Sequence, residues 1–246
     1  MNSKERVLTA INGEKPDRIP IDLGTTNCTT IHVKAYKNLA EYMGINNIDI
    51  NFIQKNFQVV EVDEKILKRL NIDTRSIHAQ SATKSKIKFI DEQTYINEWG
   101  MKGDKPKNGF YYDMIEQPLE NYSIEDLESY ELPDPYDKGR IKGIKKKAKK
   151  LHKKGEYAIV GETIDTGFFE PAWFLRGFEN FMIDLAANKE FATTLMNMIA
   201  EYQIKRYELF LNEVGEYLDI VFVGDDLATK DNTIMSPNTY RELIKP

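Results

Sequence analysis

Apolar and polar positions change period along the chain, and the changes mark its elements. Near the start, Val7, Leu8, Ala10 and Ile11 share one helical face, with Ser3 as a cap and Gly13 as a stop. Pro16-Asp17-Arg18 leads into a short strand over 19–23, with Pro20 marking its beginning. A polar loop over 24–30 holds Asn27 and Cys28. A second helix is expected over 31–43, stopped by Gly44. A third, over 64–70 behind an Asp63 cap, feeds the stretch 72–77 as another strand.

The middle of the chain switches to period two. Residues 86–90 and 94–99 alternate around Asp91-Glu92-Gln93, which predicts a hairpin. Residues 100–109 read as loop and 110–115 as a further strand, so 86–115 is an antiparallel excursion. A short helix capped at Ser123 follows, and then the turn Leu132-Pro133-Asp134-Pro135. From Lys138 onward, helix and strand alternate regularly. A lysine-rich helix over 138–154 keeps Ile141, Ile144, Ala148 and Leu151 on its inner face. The strand over 157–160 ends at Gly161-Glu162. An aromatic segment over 167–177 precedes helices over 179–187 and 189–214, the second with a core stripe of Phe191, Leu195, Met198, Ile199 and Tyr202. Residues 218–223 read as a strand buried on both faces. It ends on Gly224-Asp225-Asp226, with a later helix capped by Ser236 and opened by Pro237.

Strand–helix alternation, with strands near Ile19, Arg75, Tyr157 and Leu218, predicts an α/β fold. It is either an open parallel sheet or a (β/α)8 TIM-barrel type. About four such units are visible where a closed barrel takes eight. The expectation is one unit over 1–246, an incomplete barrel carrying a hairpin insertion at about 86–115 and lacking barrel units beyond Pro246.

Composition adds limits. The 246 residues are 41% hydrophobic and 11% aromatic, in keeping with a globular enzyme-like protein. A net charge of −5 implies no nucleic-acid face, and the lysines of 138–154 read as the solvated side of an amphipathic helix. Cys28 is the one cysteine, so no internal disulfide forms, which suits a reducing cytoplasm. No apolar run approaches the ~18 residues of a membrane span. A cytoplasmic protein without membrane or nucleic-acid partners is expected.

The candidate chemistry gathers at strand ends. Asp225 and Asp226 follow a buried strand and precede a helix, where parallel α/β folds place their sites. Glu162 and Asp165 end the preceding strand, and Glu170 opens the aromatic segment. These carboxylates serve as general acids and bases or bind a cation, or they cap loops and helices; the pattern leaves both open. Trp173, Phe168 and Phe169 are expected to line a flat ligand's cavity, with core packing as the alternative. Arg176 either orients a substrate carboxylate or forms an ion pair with Glu170 or Asp165. His32, His78 and His152 are the only histidines, and no two donors stand at ligand spacing. Cys28 and His32, four apart, are a weak candidate pair, so no metal site is expected within the chain.

Several landmarks then coincide in order. They are Glu5-Arg6-Val7-Leu8, Pro16-Asp17-Arg18-Ile19-Pro20, Tyr95-Ile96-Asn97-Glu98-Trp99-Gly100, Pro118-Leu119 and Leu132-Pro133-Asp134-Pro135. After these come the stretch from Phe169 to Met182, then Gly224-Asp225-Asp226-Leu227, Ser236-Pro237 and Ile244-Lys245-Pro246. Together they resemble the uroporphyrinogen decarboxylase (URO-D) superfamily, in its corrinoid-dependent methyltransferase-like branch. The resemblance implies a (β/α)8 barrel with its cleft at the carboxyl ends of the strands. Asp225, Asp226 and Glu162 would be its catalytic carboxylates, and Trp173, Phe168, Phe169, Glu170 and Arg176 its substrate contacts. In the methyltransferase branch a zinc-bound thiolate attacks a methylated corrinoid, and the zinc ligands lie in the carboxyl-terminal third. Zinc and corrinoid are therefore expected only where a carboxyl-terminal part is supplied, with a corrinoid protein or that missing barrel segment as partner. A small-molecule or tetrapyrrole-like ligand is implied as well.

Three departures bear on the reaction. The decarboxylases grip porphyrin carboxylates with an arginine-rich segment, where this chain has Asp22-Leu23-Gly24-Thr25-Thr26-Asn27. They also carry a tyrosine at the place of Trp173. Ala228 and Lys230 replace the glycine and glutamine usual beside the strand-end acids. Decarboxylation of uroporphyrinogen III to coproporphyrinogen III is thus the alternative, and a non-catalytic binding or assembly module a second one. The chain taken alone is expected to bind no stoichiometric zinc, to self-associate and to show no turnover.

Overall fold

A capping box starts the molecule. The Glu5 amide donates to Asn2 Oδ1 (2.8 Å) and the Asn2 amide to Glu5 Oε2 (2.9 Å), so Asn2 rather than Ser3 caps α1 (Ser3–Ile11). The computed structural model describes residues 1–83, 87–163 and 167–245. From α1, Arg6 grips Asp17 with two bonds (2.6 and 2.8 Å) and reaches Asp73 (2.8 Å). Arg18 adds two more to Asp73 (2.7 and 2.8 Å), whose side chain is fully buried. A carboxylate out of water needs such compensation. The Pro16-Asp17-Arg18 turn therefore works as a latch to the strand beginning at Thr74.

Residues 19–23 run alongside that strand without becoming one, which corrects the expected first strand. Pro20 has no amide to give, and the Ile21 amide goes to the Asp73 carboxylate (2.9 Å). A single bond from the Asp73 amide to the Ile21 carbonyl (2.9 Å) is all that remains of a ladder.

A small antiparallel sheet follows, built from β1 (Ile31–His32), β2 (Phe52–Gln54) and β3 (Val59–Val60) in the order β1-β3-β2. The helix expected over 31–43 gives its first turn to β1 and becomes α2 (Val33–Tyr42), with His32 Nδ1 accepting the Lys34 amide (3.2 Å). Asp63 caps α3 (Glu64–Arg69) as expected. Tyr36, Val60 and Ile66 make the core between these elements. β4 (Thr74–His78) comes next.

The excursion is a four-stranded antiparallel sheet of β5 (Lys88–Phe89), β6 (Thr94–Ile96), β7 (Lys102–Asp104) and β8 (Asp113–Glu116), paired in sequence order. β7 lies where loop was expected. Gly103 reads as a breaker, yet it sits beneath a β6 ring, where a Cβ would come within 2.8 Å of Tyr95 Cε1. Lys86, in the expected hairpin, falls outside the described residues.

The lysine helix is broken in two. A 3₁₀ turn (Lys138–Ile141) precedes α4 (Ile144–Lys154), because Gly143 takes a left-handed conformation between them. Ile144 and Ala148 pack on β9 (Ala158–Glu162), which pairs in parallel with β4 from Thr74↔Ala158 to His78↔Glu162. Then come α5 (Phe169–Arg176), α6 (Phe178–Ala187), the long α7 (Lys189–Val214) and β10 (Ile220–Val221). Phe169, Leu175, Phe181, Phe191 and Leu195 lock the three helices together around one core. The parallel sheet has the order β10-β9-β4.

The last strand departs from expectation. Only two residues of 218–223 pair, and Val221 and Val223 are 42% and 61% exposed rather than buried on both faces. β10 is an edge: among the described residues no further strand pairs with it. Ser236 caps a final turn (Pro237–Thr239) by accepting the Thr239 amide (3.0 Å). The architecture is mixed α/β, with three separate open sheets and no closed barrel among the described residues. No helix of the described residues is long and apolar enough to cross a membrane.

Candidate functional site

Parallel pairing brings the carboxyl ends of β4, β9 and β10 together, and a cavity of about 700 Å³ opens beside them. Asn27 and Cys28 cover one side of it, and residues 52–57 the next. The excursion supplies Tyr95, Trp99, Met101 and Met114. Glu170, Pro171, Phe174 and Leu175 come from α5, and Gly224, Asp225 and Asp226 from the loop after β10. The volume and the mix of apolar walls with a few charged groups are those of a small-ligand site, for which about 300–1,000 Å³ is usual.

His78 and Glu162 end adjacent strands in register. Burial pushes the His78 imidazole down to about 4, against the bond that its Nε2–H donates to the Thr25 carbonyl (2.9 Å). The ring is therefore neutral at neutral pH, and the 3.9 Å between Nε2 and Glu162 Oε2 is no ion pair. Glu162 is fully buried inside β9 rather than beyond its end, and its Oε2 accepts the Asn27 amide (3.0 Å). That bond ties the 24–30 loop to the sheet. Weighed only for ligand spacing, His78 does not stand out in the sequence, although a histidine closing a buried strand satisfies the same strand-end rule that singles out the aspartates.

The two aspartates do different things. Asp225 Oδ2 accepts the amides of Phe168 and Phe169 (2.8 Å each), and its Oδ1 accepts that of Glu170 (2.7 Å). It caps α5 from a distant loop and stabilises the positive end of that helix. Asp226 is exposed on the cavity side, with Glu170 on the facing helix. Asp165 lies outside the described residues.

The aromatic expectation is corrected by helical periodicity. Phe169 is fully buried in the helical core, and Trp173 packs edge-on against Phe169 (5.4 Å) and Phe178 (5.3 Å). Phe168 packs on the same core, and none of the three is in the cavity wall. Phe174, one residue on, turns into the cavity instead. Arg176 is structural too. Its Nε donates to Asp184 (2.8 Å), NH1 serves the carbonyls of Leu119, Glu120 and Tyr122, and the guanidinium stacks over Phe191 at 4.1 Å. Among the described residues its ion-pair partner is Asp184, not Glu170.

Cys28 and His32 do not form a pair. His32 Nε2 bonds the Phe110 carbonyl (3.0 Å), whereas Cys28 Sγ donates to Asn27 Oδ1 (3.2 Å) at the cavity. The thiol is raised above its ordinary range by burial, then by the charges of Glu162, Asp226 and Glu170. A thiol so placed stays protonated at neutral pH and is a poor nucleophile or metal ligand. Among the described residues no three His, Cys, Asp or Glu side chains are arranged to hold a metal ion. The described residues thus do not fit zinc.

No family model matches the chain, and no curated protein does. Among solved structures, a methyltransferase from Methanosarcina mazei is similar to it, with a TM-score of 0.54 and 17% identity. The fold is methyltransferase-like. The match covers 100% of this chain and 64% of that one, so the chain spans less than two thirds of the neighbour's length. At that identity the likeness concerns the fold alone.

Proposed function

We propose that the chain belongs to the methyltransferase branch of the URO-D superfamily. In this reading its parallel sheet is part of a (β/α) barrel, and its cavity holds a small molecule that takes part in methyl transfer with a corrinoid docked at the mouth. The observation that carries the reading is the cavity at the carboxyl ends of β4, β9 and β10 in a methyltransferase-like fold, where such folds keep their chemistry. Of the carboxylates expected to be catalytic, Asp226 lines the cavity and is placed to hold or move a proton there, whereas Glu162 is buried outside the lining and accepts the Asn27 amide. Asp225 positions α5, and neutral His78 holds the 24–30 loop through Thr25. No step is assigned to zinc, whose ligands these residues do not form.

The porphyrin alternative is less well supported. Among the described residues the cavity's cations are Lys55, Arg140 and Arg206. Arg140 is paired bidentately with Glu98 (3.2 and 2.9 Å), and Arg206 is committed to the Thr163 carbonyl and Gln203. A porphyrin bearing many carboxylates needs several guanidinium partners, and these two are engaged elsewhere.

Fluorescence provides the test, because one of the two tryptophans, Trp99, lines the cavity and the other, Trp173, does not. Methylcobalamin is expected to quench the Trp173→Phe protein saturably, beyond a free-tryptophan control, and uroporphyrin is not. Saturable quenching by uroporphyrin, or none by methylcobalamin, overturns the reading.

A further inference from the structure

Of the cations in the cavity wall, Arg140 and Arg206 are engaged with Glu98, the Thr163 carbonyl and Gln203, as described above. Glu170 and Asp226 line the cavity with Cys28, and they and the buried Glu162 raise its thiol. Lys55, from the loop after β2, stands on the side of the excursion sheet. Its Nζ lies 3.5 Å from the Phe89 ring centroid and 5.6 Å from that of Tyr95. No ion pair joins it to a carboxylate among the described residues. A second half-buried lysine, Lys105, donates from Nζ to the Gln58 side-chain oxygen (3.4 Å), lies 5.4 Å from the Tyr112 ring, and has no ion pair to a carboxylate among the described residues. Burial first, and then the Lys105 charge, pull the Lys55 ammonium down from its usual range.

Aromatic faces stabilise a cation without neutralising it. Two such lysines close enough to repel are an arrangement that a bound anion relieves, since it removes the repulsion and completes the hydrogen bonding of the ammonium. Asp226 and Glu170 on the other side disfavour the same anion there.

We propose that Lys55, backed by Lys105, is an anion subsite that takes the compact monoanionic head of the cavity's ligand, a carboxylate, sulfonate or phosphate. The ligand's other end then lies at the strand-end carboxylates, beside Cys28. The inference rests on the cavity being a ligand site, as read above, and adds the ligand's charge and orientation.

Two probes of one shape separate the outcomes: 1-anilinonaphthalene-8-sulfonate and its uncharged analogue N-phenyl-1-naphthylamine, both followed by fluorescence. The sulfonate is expected to bind the wild-type chain with one site and to weaken about tenfold in Lys55→Met, the scale of one charge-assisted hydrogen bond. Lys55→Arg should retain most of the affinity, and Lys105→Met should lose less than Lys55→Met. N-phenyl-1-naphthylamine should bind all four proteins alike, which also reports that the variants are folded. Competition by acetate, methanesulfonate and inorganic phosphate ranks the three head groups. If the neutral probe binds but the sulfonate is indifferent to Lys55, the anion subsite is wrong and the ligand-cavity reading stands. If neither probe binds the wild-type chain, the cavity itself is not a ligand site and both readings fall.

Discussion

Asp225 accepts three backbone amides that lie 55, 56 and 57 residues away in sequence. The strand-end pair was legible as a feature, but which of the two aspartates caps a helix was not. Hydrogen-bond donors that remote leave no local pattern. Gly167 completes the arrangement: with φ of 89°, it admits the Asp225 carboxylate where a Cβ would come within 2.6 Å of its Cγ. Asp225→Ala is expected to lower the unfolding free energy by about 1–2 kcal/mol, as for the loss of a strong helix cap. Asp225→Asn should recover part of that, because its one remaining oxygen accepts fewer amides. Gly167→Ala should destabilise as well, through the same cap and through its left-handed backbone. Urea unfolding of both single variants and the double variant checks the coupling. The double should cost clearly less than the sum, since either change alone displaces the carboxylate. Full additivity would mean that the two residues do not share one structural task.

Between elements, the 3.6-residue period of α5 sorts its side chains more sharply than their chemistry does. Glu170, Pro171, Phe174 and Leu175 meet the cavity, while Phe169 and Ala172 are buried in the helical core. Reading the segment as a run of aromatics put Trp173 and Phe169 at the site and missed Phe174. The parallel register of β4 and β9 was equally invisible, although both strands were located, because pairing partners 84 residues apart are set by the sheet and not by either strand (His78↔Glu162). That register buries His78 among Glu162, Glu61, Asp22 and Lys147 and gives the protein an acid-sensitive joint. The folded-state value of about 4 lies below the ordinary 6.5, so between these values the unfolded chain binds the extra proton. Stability from His78 is therefore complete above pH 6.5 and falls as the pH drops toward 4. The loss is on the order of 3 kcal/mol at about 1.4 kcal/mol per unit. His78→Gln removes this dependence. Unfolding free energies of wild type and His78→Gln, measured stepwise from pH 7.5 to 4, should converge by that order as the solution is acidified. Two parallel curves would show that His78 does not titrate in this window.

For the whole molecule, the α/β alternation, the excursion and the helices of the second half were all legible, since each rests on local period and capping. The edges of the sheet were not, because a strand pattern does not say what lies beside it. β10 leaves Val221 and Val223 exposed at one side of the parallel sheet. At the other side, next to β4, the extended residues 19–23 leave Ile19 83% and Ile21 46% exposed. Parallel sheets are ordinarily covered on both faces and paired at their edges, and uncovered apolar edges drive association. Self-association of the chain is therefore expected, rising with concentration in light scattering and size-exclusion runs. Val223→Lys and Ile19→Lys place charges at the two edges, touch no core residue, and should change unfolding free energy by no more than about 0.5 kcal/mol. Together they should shift the chain toward monomer. The excursion carries its own exposed rings, Phe110 and Tyr111, so Phe110→Lys is the control for association through that surface. If Phe110→Lys dissolves the assemblies and the edge variants do not, the excursion is the sticky surface. A wild-type chain that stays monomeric at every concentration would mean that neither surface is an association site.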